Sequence, residues 1–191
     1  MVRIFLKFLS LLVDLTQTVT IALSVWLVAY LFLGHGTQIY GSSMEPNFHD
    51  QQCVFTDIVS YRFSLPQRGD VVSIHAPKAA NCAKGTGCDF FKRIIGLPGE
   101  NIALSEGHFF INGEKLTEKY LPPTILTMPG PYTADRVVTL NENEYFVAGD
   151  NRSHSSDSRY WGPVQKSEII GRAILRYCPK SDLGIIPRVV Y

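Results

Sequence analysis

The sequence predicts a mainly β domain preceded by one N-terminal transmembrane helix. Two observations predict it. Twenty consecutive residues between Asp14 and His35 carry no formal charge. From Ile39 onward, short runs rich in Val, Ile, Phe and Tyr are broken by Gly, Pro, Asn and Asp, which is the punctuation of strands and turns. A third observation narrows the function classes: a formal net charge of +1 over 191 residues leaves no basic footprint for nucleic acid.

The anchor comes first in the chain. At 1.5 Å per residue, residues 15–34 make about 30 Å of helix, the thickness of a bilayer's hydrocarbon core. Thr16, Gln17, Thr18 and Thr20 soften its beginning, and Ile4 to Val13 is apolar apart from Lys7 and Ser10, so the span can slide toward the N-terminus. A cleaved signal peptide would need a shorter apolar core and a small-x-small site, for which Gly34-His35-Gly36 is a poor match. A buried soluble helix fits badly with Trp26, Tyr30 and apolar residues on every face. Arg3 and Lys7 precede the span, so the positive-inside bias assigns residues 1–14 to the cytoplasm and 35–191 to the extracytoplasmic side.

Strands are expected at 52–58, 70–75, 90–95, 101–105, 108–111, 136–139, 145–148 and 169–177, from their β-branched and aromatic content. Asn112-Gly113 between apolar runs signals a tight hairpin. Residues 120–136, rich in Pro, Gly and Thr, read as a long surface loop. There are no internal repeats, so one β domain on one anchor accounts for the chain.

Three segments carry chemistry. In YGSSMEPNF (40–48), Gly41 permits an unusual dihedral and Pro46 fixes the chain, making a turn that can present Ser43. Serines fill turns everywhere, and this is not the G-x-S-x-G elbow of Ser-His-Asp hydrolases, so Ser43 needs a different base. In DFFKRIIGLPGE (89–100), strand alternation puts Phe90, Lys92 and Ile94 on one face and Phe91, Arg93 and Ile95 on the other. Two large apolar neighbours would desolvate Lys92; bringing its pKa from about 10.4 to neutrality takes about 3 pH units, or about 4 kcal/mol. Most strand lysines snorkel to solvent instead, and taken alone this one would be read so. In GDNRSHSSDSRYWGPV (149–164), Asp150, Arg152, Asp157 and Arg159 read as a capped turn held by salt bridges. Ser155 or Ser156 in that turn is a candidate to orient a neutral lysine.

Taken in order, these segments resemble the bacterial type I signal peptidase (leader peptidase) family, serine proteases that remove signal peptides from exported proteins. The carriers are Ser43-Met44-Glu45-Pro46, Arg68-Gly69-Asp70-Val71-Val72, the run from Lys92 to Glu100 (K-R-I-I-G-L-P-G-E), and Gly149 through Gly162. The resemblance implies an antiparallel β-sheet catalytic domain, Ser43 as nucleophile, Lys92 as general base and Ser155 bonded to that lysine. It also implies ion pairs Asp157–Arg159 and Arg93–Asp150, and substrate pockets for small residues at Ile39, Met44, Phe48, Phe90 and Phe91. Some family members have a serine two residues before the nucleophile that helps hold the oxyanion; here that position is Gly41. The Ser43 N–H is then the one donor that can be named. The implied activity is cleavage after a small-x-small (Ala-x-Ala) site, with exported preproteins and the lipid bilayer as partners and with no metal or cofactor. The implied location is a single-pass protein of the bacterial cytoplasmic (inner) membrane. Ser43 stands nine residues beyond Gly34, so the active site is expected close to the membrane, with Phe48 and Met44 exposed toward the interface.

Other readings stay open on the residues alone. His35, His49, His75 or His154 could serve as base in place of Lys92. A pilin-maturing peptidase of conjugative transfer shares the dyad, whereas a catalytically dead binding domain would not need both Ser43 and Lys92. A self-cleaving repressor would carry a DNA-binding domain where this chain has its anchor. Cys82 and Cys88 bracket a short flexible loop and are expected to form a disulfide, while Cys53 and Cys178 are expected to be buried thiols.

Overall fold

A computed structural model of the chain describes residues 2–77, 80, 89–189 and 191. The apolar N-terminus forms a single helix, α1 (Val2–Leu33), uninterrupted because no Gly or Pro precedes Gly34. Within it Leu6–Val28 is long and apolar enough to cross a membrane, and none of its residues is buried. That stretch starts nearer the N-terminus than residues 15–34, and Gly34, expected to end the span, begins a strand.

This strand, β1 (Gly34–Gln38), carries two glycines and a single β-branched residue, so no propensity announces it. It exists because it pairs with β2 (Cys53–Asp57) over its whole length. The chain continues through α2 (Ser60–Phe63), β3 (Val71–His75), β4 (Asp89–Gly96), β5 (Asn101–Ser105), β6 (His108–Ile111) and β7 (Glu114–Lys115). It ends with β8 (Val138–Thr139), β9 (Glu144–Ala148), α3 (Ser158–Trp161), β10 (Val164–Gln165), β11 (Ile169–Cys178) and β12 (Gly184–Ile185). Two antiparallel sheets result, one in the order β1-β2-β11-β3-β4-β9-β10 with β12 on β11, the other β7-β6-β5-β8. Asn112 and Gly113 both take positive φ, 52° and 87°, and close the β6–β7 hairpin. Ile95, Ile102, Phe109 and Phe146 pack the small sheet against the large one.

One row of paired residues crosses the large sheet. Gly34 faces Asp57, Asp57 faces Arg172, Arg172 faces Val72, and Val72 faces Lys92. With strands about 4.8 Å apart, Lys92 lies roughly 19 Å along this row from the end of α1.

Two expectations are corrected. Cys53 and Cys178 are not buried thiols: they are bonded as a disulfide, half-buried, with Cα atoms 4.8 Å apart. The β2–β11 register sets them opposite each other across 125 residues of sequence, a proximity that spacing does not reveal. The expected Cys82–Cys88 bridge lies outside the described residues. Residues 120–136 hold neither strand nor helix, but they are not merely a surface loop. Thr127 accepts a hydrogen bond from Arg152, and Gly130 sits so close to the Arg159 backbone that a Cβ would collide with it.

Candidate active site

Ser43 lies in the turn between β1 and β2, and that turn is tied at its base. Ile39 N–H donates to the Gln52 carbonyl at 2.8 Å, Gln51 N–H returns to the Ile39 carbonyl at 2.8 Å, and His49 N–H donates to the Gln52 side chain at 3.0 Å. At its tip Gly41 takes φ +84°, which a side chain would strain, and its N–H donates to Asp50 at 2.7 Å. Gly41 is therefore already committed to holding the turn. Ser43 N–H donates to no protein acceptor among the described residues.

Lys92 sits in the middle of β4, 3% exposed. Its Nζ donates to Ser43 Oγ at 2.8 Å and lies 5.1 Å from the centre of the Phe90 ring. Burial is the main cause that lowers its pKa, to about 8; Asp157 and Asp150 pull it upward, and Arg159 pushes it down again. A lysine that is half neutral near pH 8, with its nitrogen on a serine hydroxyl, can take that hydroxyl's proton. Histidine plays no such part. His75 is bonded to Asp89 and His154 to Ser153, and among the described residues none reaches Ser43.

The remaining expected residues fall into three groups. Arg93 grips Asp150 through two bonds of 2.8 and 2.6 Å, and Asp157 holds Arg159 through two of 2.8 Å. Both pairs are buried, and Asp150, Asp157 and Arg159 act electrostatically on the Lys92 amine. Ser155 is also buried, but its Oγ has no hydrogen-bond partner, so the expected bond to Lys92 is not formed. Of the pocket residues, Ile39, Met44, Phe48 and Phe91 form one core cluster under the turn, while Phe90 packs with Val72 and Ile94 on the lysine's own face. Met44 and Phe48 are 0% and 4% exposed, so neither reaches toward a membrane as expected. The physical reason is that they are the apolar contacts that anchor the turn to the sheet.

Three residues escaped the sequence reading. Asn151 donates its N–H to the Ser43 carbonyl at 3.1 Å and its side chain to the Ser42 carbonyl at 3.0 Å. Asn47 donates to Asp150 at 2.8 Å and to the Tyr120 carbonyl at 3.1 Å. Gly149 admits no side chain, since a Cβ would strike both Ser155 Oγ and the Ser43 carbonyl oxygen. Asn151 and Gly149 stand in a segment already marked by its density of turn residues; nothing local distinguished Asn47.

The sequence profile of the family described as signal peptidase, peptidase S26, matches residues 12–178. The chain belongs to the signal peptidase S26 family. It is accordingly a serine peptidase. Similar proteins include a probable signal peptidase I-2 of Synechocystis sp., 34% identical over 91% of this chain and 76% of that one. Another is a signal peptidase I of Leptolyngbya laminosa, 36% identical over 86% of this chain and 80% of that one. The crystal structure of a signal peptidase I from Enterococcus faecalis V583 is 34% identical and covers 57% of this chain and 97% of that one, with a TM-score of 0.45.

Proposed function

We propose that this family member removes signal peptides from exported preproteins by a Ser43/Lys92 acyl-enzyme mechanism, cutting after a small-x-small (Ala-x-Ala) site. The observation that carries the reading is the 2.8 Å contact between the buried Lys92 amine and Ser43 Oγ, with the lysine pKa brought down to about 8. Neutral Lys92 takes the Ser43 proton as Oγ attacks the scissile carbonyl. The charge that develops on the carbonyl oxygen is met by the uncommitted Ser43 N–H. The lysinium then protonates the leaving amine, and the neutral lysine activates water to release the acyl group. Gly149 and Asn151 fix the backbone on either side of the nucleophile and act as positioning residues.

The same reading has α1 anchoring the protein in the bacterial cytoplasmic membrane, residues 1–14 on the cytoplasmic side and the β domain outside. The row from Gly34 to Lys92 supports it, because it keeps the dyad within about 19 Å of the helix end across the sheet. A preprotein's cleavage site likewise emerges just beyond its own apolar segment.

Cleavage of a preprotein with an Ala-x-Ala site in liposomes, comparing wild type with Ser43→Ala and Lys92→Ala, tests the mechanism. Wild-type cleavage after the second alanine, lost in both folded variants, is the expected result. Substantial activity in Lys92→Ala would remove lysine as the base. Processing of a pilin-like substrate in place of the preprotein would change the substrate class and leave the dyad standing.

A further inference from the structure

The turn that carries Ser43 is fastened to the segment after β9 at two places. Asn151 holds the Ser42 and Ser43 carbonyls. The second fastening comes four residues after the nucleophile, at the half-buried Asn47. Its side-chain amide donates to Asp150 Oδ2 at 2.8 Å and to the Tyr120 carbonyl at 3.1 Å, while its own carbonyl accepts from Arg176 at 3.2 Å. One residue thus joins the nucleophile turn to the segment after β9, to the 120–136 segment and to β11.

Asp150 is the partner that bears on the chemistry. It is fully buried, and Arg93, the strand neighbour of Lys92, takes one bond on each of its oxygens, at 2.8 and 2.6 Å. A buried carboxylate needs its lone pairs filled, and Asn47 supplies a third donor. The contacts run from the Ser43 turn through Asn47, Asp150 and Arg93 to Lys92, and the 2.8 Å bond between Lys92 Nζ and Ser43 Oγ closes the ring. Asp150 also acts at a distance: with Asp157 it favours the charged lysine, against burial and Arg159. Arg93, Arg152 and Tyr120 are the other titratable groups that feel its charge. Taking a donor away from Asp150 leaves that charge less shared and its hold on the ammonium stronger. Shape alone does not demand an amide here. Beside Asn47 lies a cavity of about 170 Å³, walled also by Phe48, Tyr120, Arg176 and Ile186, so the surroundings have room for other side chains.

We propose that Asn47 is a positioning residue for the dyad: its bond to Asp150 holds the nucleophile turn against the strand of the base and tempers the charge that Asp150 exerts on the amine. The inference rests on the Ser43/Lys92 reading above and adds to it a residue that touches neither of the reacting side chains.

The test uses the full chain in detergent micelles and a short peptide spanning the cleavage site, with kcat and KM followed across pH. Asn47→Leu keeps the bulk and loses the donors. Its kcat should fall roughly tenfold with KM unchanged, since a misplaced nucleophile slows the chemical step and not binding. The acid limb should also move up by about half a pH unit, which makes the loss roughly threefold larger at about pH 7 than at about pH 9.5. Asn47→Gln, whose extra methylene can turn into the cavity while the amide still reaches Asp150, should restore both. Asn47→Ala only enlarges the cavity, and it gives the same comparison should the leucine variant fail to fold. Wild-type kcat and an unmoved limb in Asn47→Leu or Asn47→Ala overturn the proposal. A loss with an unmoved limb that Asn47→Gln shares overturns it too, because the side chain is then only a spacer. Lys92→Ala, assayed beside them, keeps the two readings apart. Activity there removes the lysine base itself, whereas a dead Lys92→Ala next to an unaffected Asn47→Leu overturns the role of Asn47 alone.

Discussion

At the scale of single residues, the buried Lys92 amine carries a cost in stability as well as a capacity for catalysis. Its pKa stands at about 8 when folded against an ordinary 10.5. That difference corresponds to about 3 kcal/mol. Between these two values the unfolded chain binds more protons than the folded one, so wild-type stability rises with pH through that window. Below pH 8 both states hold the proton and the full penalty stands. Lys92→Met should therefore abolish cleavage yet raise stability at neutral pH, by up to about 3 kcal/mol, with the gain fading as pH approaches 10.5. Thermal unfolding across that range measures it, and a variant less stable than wild type at neutral pH would argue against a desolvated amine. In the intact enzyme, kcat/KM should climb through an apparent pKa near 8. Gly149 poses the opposite case, a residue whose value is absence. Gly149→Ala would push apart Ser155 and the Ser43 backbone, costing about 1–3 kcal/mol. The displaced nucleophile should lower kcat roughly a hundredfold. A variant with unchanged kcat would show that the backbone there can give way freely.

At the scale of elements, legibility followed the length of the signal. β2, β3, β4, β6, β9 and β11 carry dense β-branched or aromatic runs, and the hairpin carries Asn112-Gly113, so their existence is written locally. β1, β7, β10 and β12 are strands only because a neighbour pairs with them, and α2 and α3 are single turns nucleated by Asp57 and Asp157. Composition does not encode such pairings. The site divides in the same way. Strand alternation groups Phe90 and Ile94 with Lys92, but the 2.8 Å approach of Ser43, 49 residues earlier in the chain, depends on the folding of the turn over the sheet. The disulfide belongs to this second kind. It closes a loop of 125 residues between the ends of β2 and β11, next to the tied base of the nucleophile turn. Cys53→Ser/Cys178→Ser should lose about 2–5 kcal/mol of stability, chiefly through a less restricted unfolded chain. Denaturant unfolding in detergent under oxidising conditions would show this, and an unchanged midpoint would mean that the sheet alone holds the two ends together.

At the scale of the whole molecule, the junction between α1 and β1 turns a tether into a ruler. Leu33 ends the helix and Gly34 already pairs with Asp57, so no slack separates the apolar helix from the sheet. The sheet then carries the level of that junction across to Lys92 through one row of pairs. If the enzyme works at a fixed height above the lipid, that stiffness matters separately from the dyad. Inserting about ten Gly/Ser residues between Leu33 and Gly34 leaves every described contact of the β domain in place but adds a coil with a root-mean-square reach of about 17 Å. Ser43 would then sample a volume where it formerly held a level, and its effective concentration at a membrane-inserted cleavage site would fall. Preprotein processing in liposomes should drop roughly tenfold, while cleavage of a short peptide in detergent stays as it was. Equal rates on the preprotein before and after insertion would show that the membrane supplies only proximity, and that the substrate finds the dyad without help from the sheet's register.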